Sequence, residues 1–108
     1  MMQPVQIDIV LRALSDPTRR AVFERIVPSE RNVAELTRES GVTQGAVSQH
    51  LKLLKQAGLV TERPHGRNVF YRAKPEGLAP LFDWLSHYDS FWRERFADLR
   101  TLLKEIDP

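Results

Sequence analysis

Residues 33–60 read VAELTRESGVTQGAVSQHLKLLKQAGLV, and the punctuation of this stretch sets the fold. Val33 and Leu36 give one apolar side to a short helix, predicted over Val33 to Ser40. Gly41 follows it, where a helix commonly ends in the left-handed conformation that glycine adopts at no steric cost. Thr43 is placed to cap a second helix running from Gln44 to Ala57, because its hydroxyl can accept a free N–H of the first turn. Gly58 closes that helix as Gly41 closes the other. Two helices joined by a tight Gly41-Val42 turn form a helix-turn-helix pattern.

The longer helix divides into two faces. Ala46, Val47, Leu51 and Leu54 recur at helical spacing and are predicted to point inward. Gln44, Gly45, Ser48, Gln49 and Lys52 fall on the other side. That side is polar but uncharged at its start, and small at Gly45. Glutamine can pair bidentately with adenine, serine can donate or accept, and a recognition helix reads base edges with its N-terminal residues. These five are the candidate base-reading residues. Thr43 and His50, at the border of the faces, are candidates for contact with the DNA backbone. For His50 the alternative is a seal against the preceding helix.

Downstream the period changes. LVTER and NVFYR, at 59–63 and 68–72, are rich in β-branched and aromatic residues. They predict a hairpin with a five-residue tip, Pro64 to Asn68, that carries Arg63, His65 and Arg67 as a basic wing. Arginine on such a wing can track phosphates or enter a narrow minor groove. Upstream, a first helix is predicted over about residues 4–14, and Asp16-Pro17 opens a second that ends near Val27, with Ala21, Val22 and Ile26 inward. Arg19 and Arg38 are further candidates for phosphate contact.

After Pro75 a helical stretch is predicted from about Glu76 to Glu105, roughly 45 Å if unbroken, with Pro80 near its true start. Leu81, Leu85, Tyr88, Trp92, Phe96 and Leu99 recur along it every three or four residues, and Trp84 and Phe91 lie off that stripe. So much apolar surface on one rod predicts a partner chain. The expected dimer seam comprises these eight residues with Ile9 and Leu14 of the first helix. Two-fold pairing would present two recognition helices to successive major grooves.

The 108 residues fit one domain, 1–108, with the last helix as its dimerisation element. With 42% hydrophobic and 28% charged residues the composition is that of a globular chain. Formal net charge is +2, but residues 43–74 carry six basic side chains against Glu62 alone, a local basic footprint. The absence of cysteine excludes disulfides and thiolate metal sites. No apolar run reaches the ~20 residues of a membrane span, and the first residues lack the character of a signal peptide, so a cytoplasmic protein without membrane contact is expected. No nucleophile is paired with a base, and there is neither a phosphate-binding glycine loop nor a carboxylate cluster. No enzyme and no cofactor are expected.

ALSDPTRRAVFERI at 13–26, the helix-turn-helix stretch at 33–60 and RPHGRNVFYR at 63–72 resemble the ArsR family of bacterial repressors. The resemblance implies an α+β, mostly helical, homodimeric winged helix with element order ααααββα, which represses by operator binding and is released by an inducer. Metal-sensing members often carry a cysteine pair at positions matching Val33 to Thr37, and none is present here. Asp83 and His87 are spaced as a pair of ligands but lack a further partner. WLSHYDSFWRERFADLRTLL at 84–103 is similar to a branch that does not sense metals. The expectation is therefore a sequence-specific binder of double-stranded DNA, probing an inverted repeat as a homodimer, with an unidentified small-molecule effector. The alternatives are a winged-helix module for protein–protein contact and a metal-responsive repressor.

Overall fold

The structure is a computed structural model that describes residues 6–106. Helix α1 spans Gln6–Ser15, α2 Pro17–Ile26, α3 Val33–Ser40 and α4 Gln44–Gln56. Strand β1 is the two-residue Arg31–Asn32, β2 is Val60–His65 and β3 is Asn68–Ala73. A 3-10 turn over Pro75–Leu78 leads into α5, Ala79–Ser86, and α6, Asp89–Ile106. This is the expected mostly helical winged helix-turn-helix, with three additions that the sequence reading did not contain.

The local stops act as their chemistry predicts. Asp16 accepts the Arg19 backbone N–H at 2.9 Å, and Pro17 opens α2. Asn32 and Glu35 form a reciprocal capping box on α3, at 2.8 and 3.0 Å. Gly41 ends α3 at φ +74, and its N–H donates to the Thr37 carbonyl at 3.3 Å. Thr43 Oγ1 accepts the Ala46 N–H at 3.1 Å.

The core is drawn from the first four helices and the start of β2: Ala13, Val22, Phe23, Ile26, Leu36, Val47, Leu51, Leu54, Leu59 and Val60 are all buried, and Tyr71 and Ala73 of β3 pack against them. Ala21, expected inward, is exposed, and Phe23 takes its place beside Val22 and Ile26. Burying the larger ring removes far more apolar area from water than burying a methyl group would. Val5, assigned to the first helix from the sequence, lies outside the described residues.

The first addition is β1. It pairs antiparallel with β3, Arg31 opposite Tyr71 and Asn32 opposite Phe70, so the sheet has the order β1-β3-β2. Two residues are too few to show a period of two, which is why the strand was not legible. The second concerns the hairpin tip, which is shorter than expected. His65 pairs with Asn68, leaving a two-residue loop of Gly66 and Arg67. Gly66 has φ +63 and Arg67 does not have a positive φ, the pattern of a II′ turn. The strands therefore continue through Pro64 and His65, and the wing is a stiffer ribbon than a five-residue loop would be.

The third is a break in the C-terminal rod. At its junction the hydrogen bonds tighten to the 3-10 spacing, His87 N–H to Trp84 at 3.2 Å and Tyr88 N–H to Leu85 at 3.1 Å. Helix α5 packs on α1, whereas α6 runs clear of the body. Every residue from Phe82 to Ile106 is exposed. The 18 residues of α6 give it a length of about 27 Å. Pro80 sits in the first turn of α5, as its missing N–H favours.

Candidate nucleic-acid interface

Helix α4 is held from behind by Val47, Leu51 and Leu54, each fully buried. Its opposite face carries Gln44, Gly45, Ser48, Gln49 and Lys52, all exposed. None of these side chains has an intramolecular hydrogen-bond or ion-pair partner among the described residues. An open polar face on a rigid helix offers its donors and acceptors without first breaking contacts. The α4 N-terminus lies at the same end, where unsatisfied N–H groups favour an anion such as a phosphate. Thr43 accepts the Ala46 N–H, which leaves its own O–H free to donate.

His50 is half-buried between the faces, and its Nδ1 is buried without a hydrogen-bond partner. The backbone N–H of Arg19, at the start of α2, lowers the Asp16 carboxyl below its usual range.

On the wing, Arg67 occupies the exposed second position of the turn, and His65 lies edge-on to Phe70 with centroids 6.3 Å apart. Arg63 is not free. Its Nε donates to Glu30 Oε2 at 2.7 Å, and its guanidinium lies 5.2 Å over the Phe70 ring. Arg72 approaches the other Glu30 oxygen at 3.5 Å. Lys55 near the end of α4 pairs with Glu62 on β2 at 3.1 Å, which ties the recognition helix to the wing. Glu30 was not singled out from sequence, and Glu62 was read only as the lone acid of the basic segment. Glu30 precedes the strand that was missed, and an acid in a basic segment reads as an interruption until the pairing is seen.

Arg38, in the last turn of α3, is exposed and has no ion-pair partner among the described residues. Arg19, a candidate for phosphate contact, lies against the end of α1. Its Nε donates to the Ala13 carbonyl at 2.6 Å and its Nη2 to the Arg12 carbonyl at 3.0 Å. It satisfies orphan carbonyls at the end of α1. Arg20 does the same for the Leu14 carbonyl at 2.7 Å.

Of the expected seam residues, Trp84, Leu85, Tyr88, Phe91, Trp92, Phe96 and Leu99 are exposed, and Ile9 and Leu81 are half-buried. Trp84, Leu85, Tyr88, Phe91 and Trp92 line an open apolar hollow at the α5–α6 junction. Leu14 instead packs against the core of its own chain.

Residues 14–63 match the model of a helix-turn-helix domain. The HTH-type transcriptional regulator Rv2034 of Mycobacterium tuberculosis is 46% identical over 96 residues, covering 89% of this chain and 87% of that protein. The chain belongs to the ArsR family of transcriptional regulators. An HTH-type transcriptional repressor, SmtB of M. tuberculosis, is 44% identical over 72% of this ArsR-family chain and 58% of its own length. The solution structure of a homodimeric winged helix-turn-helix DNA-binding domain from Mycobacterium bovis, described as a possible ArsR-family regulator, superposes with a TM-score of 0.64 at 26% identity. That match covers 83% of this chain and 91% of the other. The ArsR-family chain is accordingly a DNA-binding transcriptional regulator built on a winged helix-turn-helix. No described helix is long and apolar enough to cross a membrane.

Proposed function

We propose that this ArsR-family regulator is a homodimeric repressor that does not sense metals and that binds an inverted-repeat operator in the cytoplasm. Gln44, Gly45, Ser48, Gln49 and Lys52 read bases, while Thr43, His50, Arg38 and the wing residues Arg63, His65 and Arg67 hold the backbone. The observation that carries this is the open face of α4, polar and unpartnered, set between its own helix N-terminus and a basic wing. Exposed Trp92, Phe96, Leu99, Leu103 and Ile106, spaced four and three apart on α6, support pairing with a second copy, as does the homodimer of the M. bovis relative. The repressor activity of the SmtB relative supports repression. The lack of cysteine supports the branch without metal sensing. The regulator's effector is a small molecule rather than a metal ion.

The test is fluorescence anisotropy with a labelled duplex of the gene's own upstream intergenic region, run beside a scrambled duplex. Tight binding that prefers the native duplex is expected. Equal binding to both would overturn sequence-specific recognition, and binding to neither would favour a protein–protein module.

A further inference from the structure

Glu30, at the entry to β1, is an acid placed among the cations of the wing. Formally it should repel DNA. Its geometry says otherwise. The carboxylate takes the Nε edge of Arg63 at 2.7 Å, and the Phe70 ring lies 5.2 Å from the guanidinium carbon. A guanidinium grips phosphate best with two parallel N–H bonds, and engagement at Nε leaves the outer Nη1/Nη2 edge available for that fork. The second Glu30 oxygen holds Arg72 at 3.5 Å, so one negative charge is shared by two positive ones and the cluster stays cationic. The carboxylate is also recessed: the side chain of Glu30 is 26% exposed, against 45% for Arg63 and 64% for Arg72. A phosphate approaching this face meets the arginines before it meets the acid.

We infer that Glu30 is a positioning residue for DNA binding: it anchors the root of the wing and presents the outer edge of Arg63 to a backbone phosphate. A free arginine would have to give up much of its rotamer entropy when it docks, whereas this one is already held by the carboxylate and the ring. Donation from Arg63, and secondarily the charges of Arg63 and Arg72, hold the Glu30 carboxyl below its usual range, so the clamp is charged at neutral pH.

The inference rests on the DNA-binding reading above, and the experiment separates the two. Wild type, Glu30→Gln, Arg63→Gln and the double variant are titrated by anisotropy with the labelled native duplex at several salt concentrations, after circular dichroism confirms the fold of each. Glu30→Gln removes a negative charge yet is expected to bind about tenfold more weakly, with a salt slope lower by about one phosphate contact. Arg63→Gln is expected to do the same, and the double variant to be no worse than either alone. Unchanged or tighter binding by Glu30→Gln, or additive losses in the double variant, would overturn the positioning role and leave DNA binding intact. Failure of the wild type to bind any duplex would overturn both.

Discussion

The carbonyl oxygen of Gly58 lies directly beneath Gly77, so close that a Cβ at residue 77 would stand 2.1 Å from it. This contact docks the 3-10 turn on the end of α4, and the Lys74 N–H secures it by donating to the Leu59 carbonyl at 2.8 Å. Both clashing atoms nearest to the new Cβ would be backbone, so no side chain can swing aside. Gly77→Ala should destabilise the fold by about 1–3 kcal/mol, the usual range for overpacking. Urea denaturation followed by circular dichroism measures it. An unshifted midpoint would mean that the turn can slide on α4 without cost.

The Thr43 cap links stability to recognition. Its Oγ1 satisfies the Ala46 N–H at 3.1 Å. Thr43→Ala should lose about 1 kcal/mol, and Thr43→Ser should stay close to wild type because it keeps the accepting oxygen. Thermal melts of the three proteins decide this. If alanine and serine melted together, the hydroxyl would not be the capping group.

Acid should loosen the fold through two carboxylates. Asp16 is lowered from an ordinary 3.8 chiefly by the Arg19 backbone N–H, and Glu30 from an ordinary 4.5 chiefly by Arg63. A carboxyl depressed in the folded state stabilises it fully above the unfolded value. That contribution fades as pH falls past the ordinary values and is gone once the lowered ones are passed. Melting temperature should therefore decline as pH drops below about 4.5, and Asp16→Asn together with Glu30→Gln should flatten that decline. A double variant as acid-sensitive as wild type would show that other carboxylates govern the decline.

What could be read from sequence follows the range of the physics involved. Gly41, Thr43, Asp16 and Pro17 act within a few residues, and the local rules for caps and turns locate them well. The inward and outward faces of α4 follow from a period sustained over several turns. The elements that escaped are those fixed by distant partners. Strand β1 exists because β3 pairs with it, and Glu30 gains its role only when Arg63 and Arg72 are folded beside it. The break near His87 interrupts no apolar repeat, since Leu85, Tyr88 and Trp92 keep helical spacing across it. Arg19 and Arg20 gain their capping task only when the carbonyls at the end of α1 come within reach.

Base reading and backbone holding should separate by mutation. Arg67→Ala, at the wing turn, should weaken binding to native and scrambled duplexes alike and lower the salt slope by about one. Gln44→Ala or Ser48→Ala should cost about 1–3 kcal/mol on the preferred duplex and little on the scrambled one. Selection of bound sequences from a randomised pool would reveal any shift in preference. If the α4 variants lost affinity for every duplex equally, their face would be touching phosphates rather than base edges.

The α6 helix carries the strongest demand for a second chain. Phe96 is 59% exposed and Leu99 50% among the described residues. Water contact over so long a stripe is unfavourable by about 25 cal/mol for each Å² of apolar surface, so burial against a partner would be strongly driven. Phe96→Glu introduces a charge at the centre of this stripe without touching the core of the winged unit. The variant should keep its helical spectrum while its mass by light scattering falls from dimer to monomer. Its affinity for a duplex with two half-sites should drop sharply, because the second half-site is no longer bound in tandem, whereas affinity for a single half-site should change little. A wild-type protein that is monomeric at micromolar concentration would sink the dimer reading, as would a Phe96→Glu protein that stayed dimeric with undiminished two-site affinity.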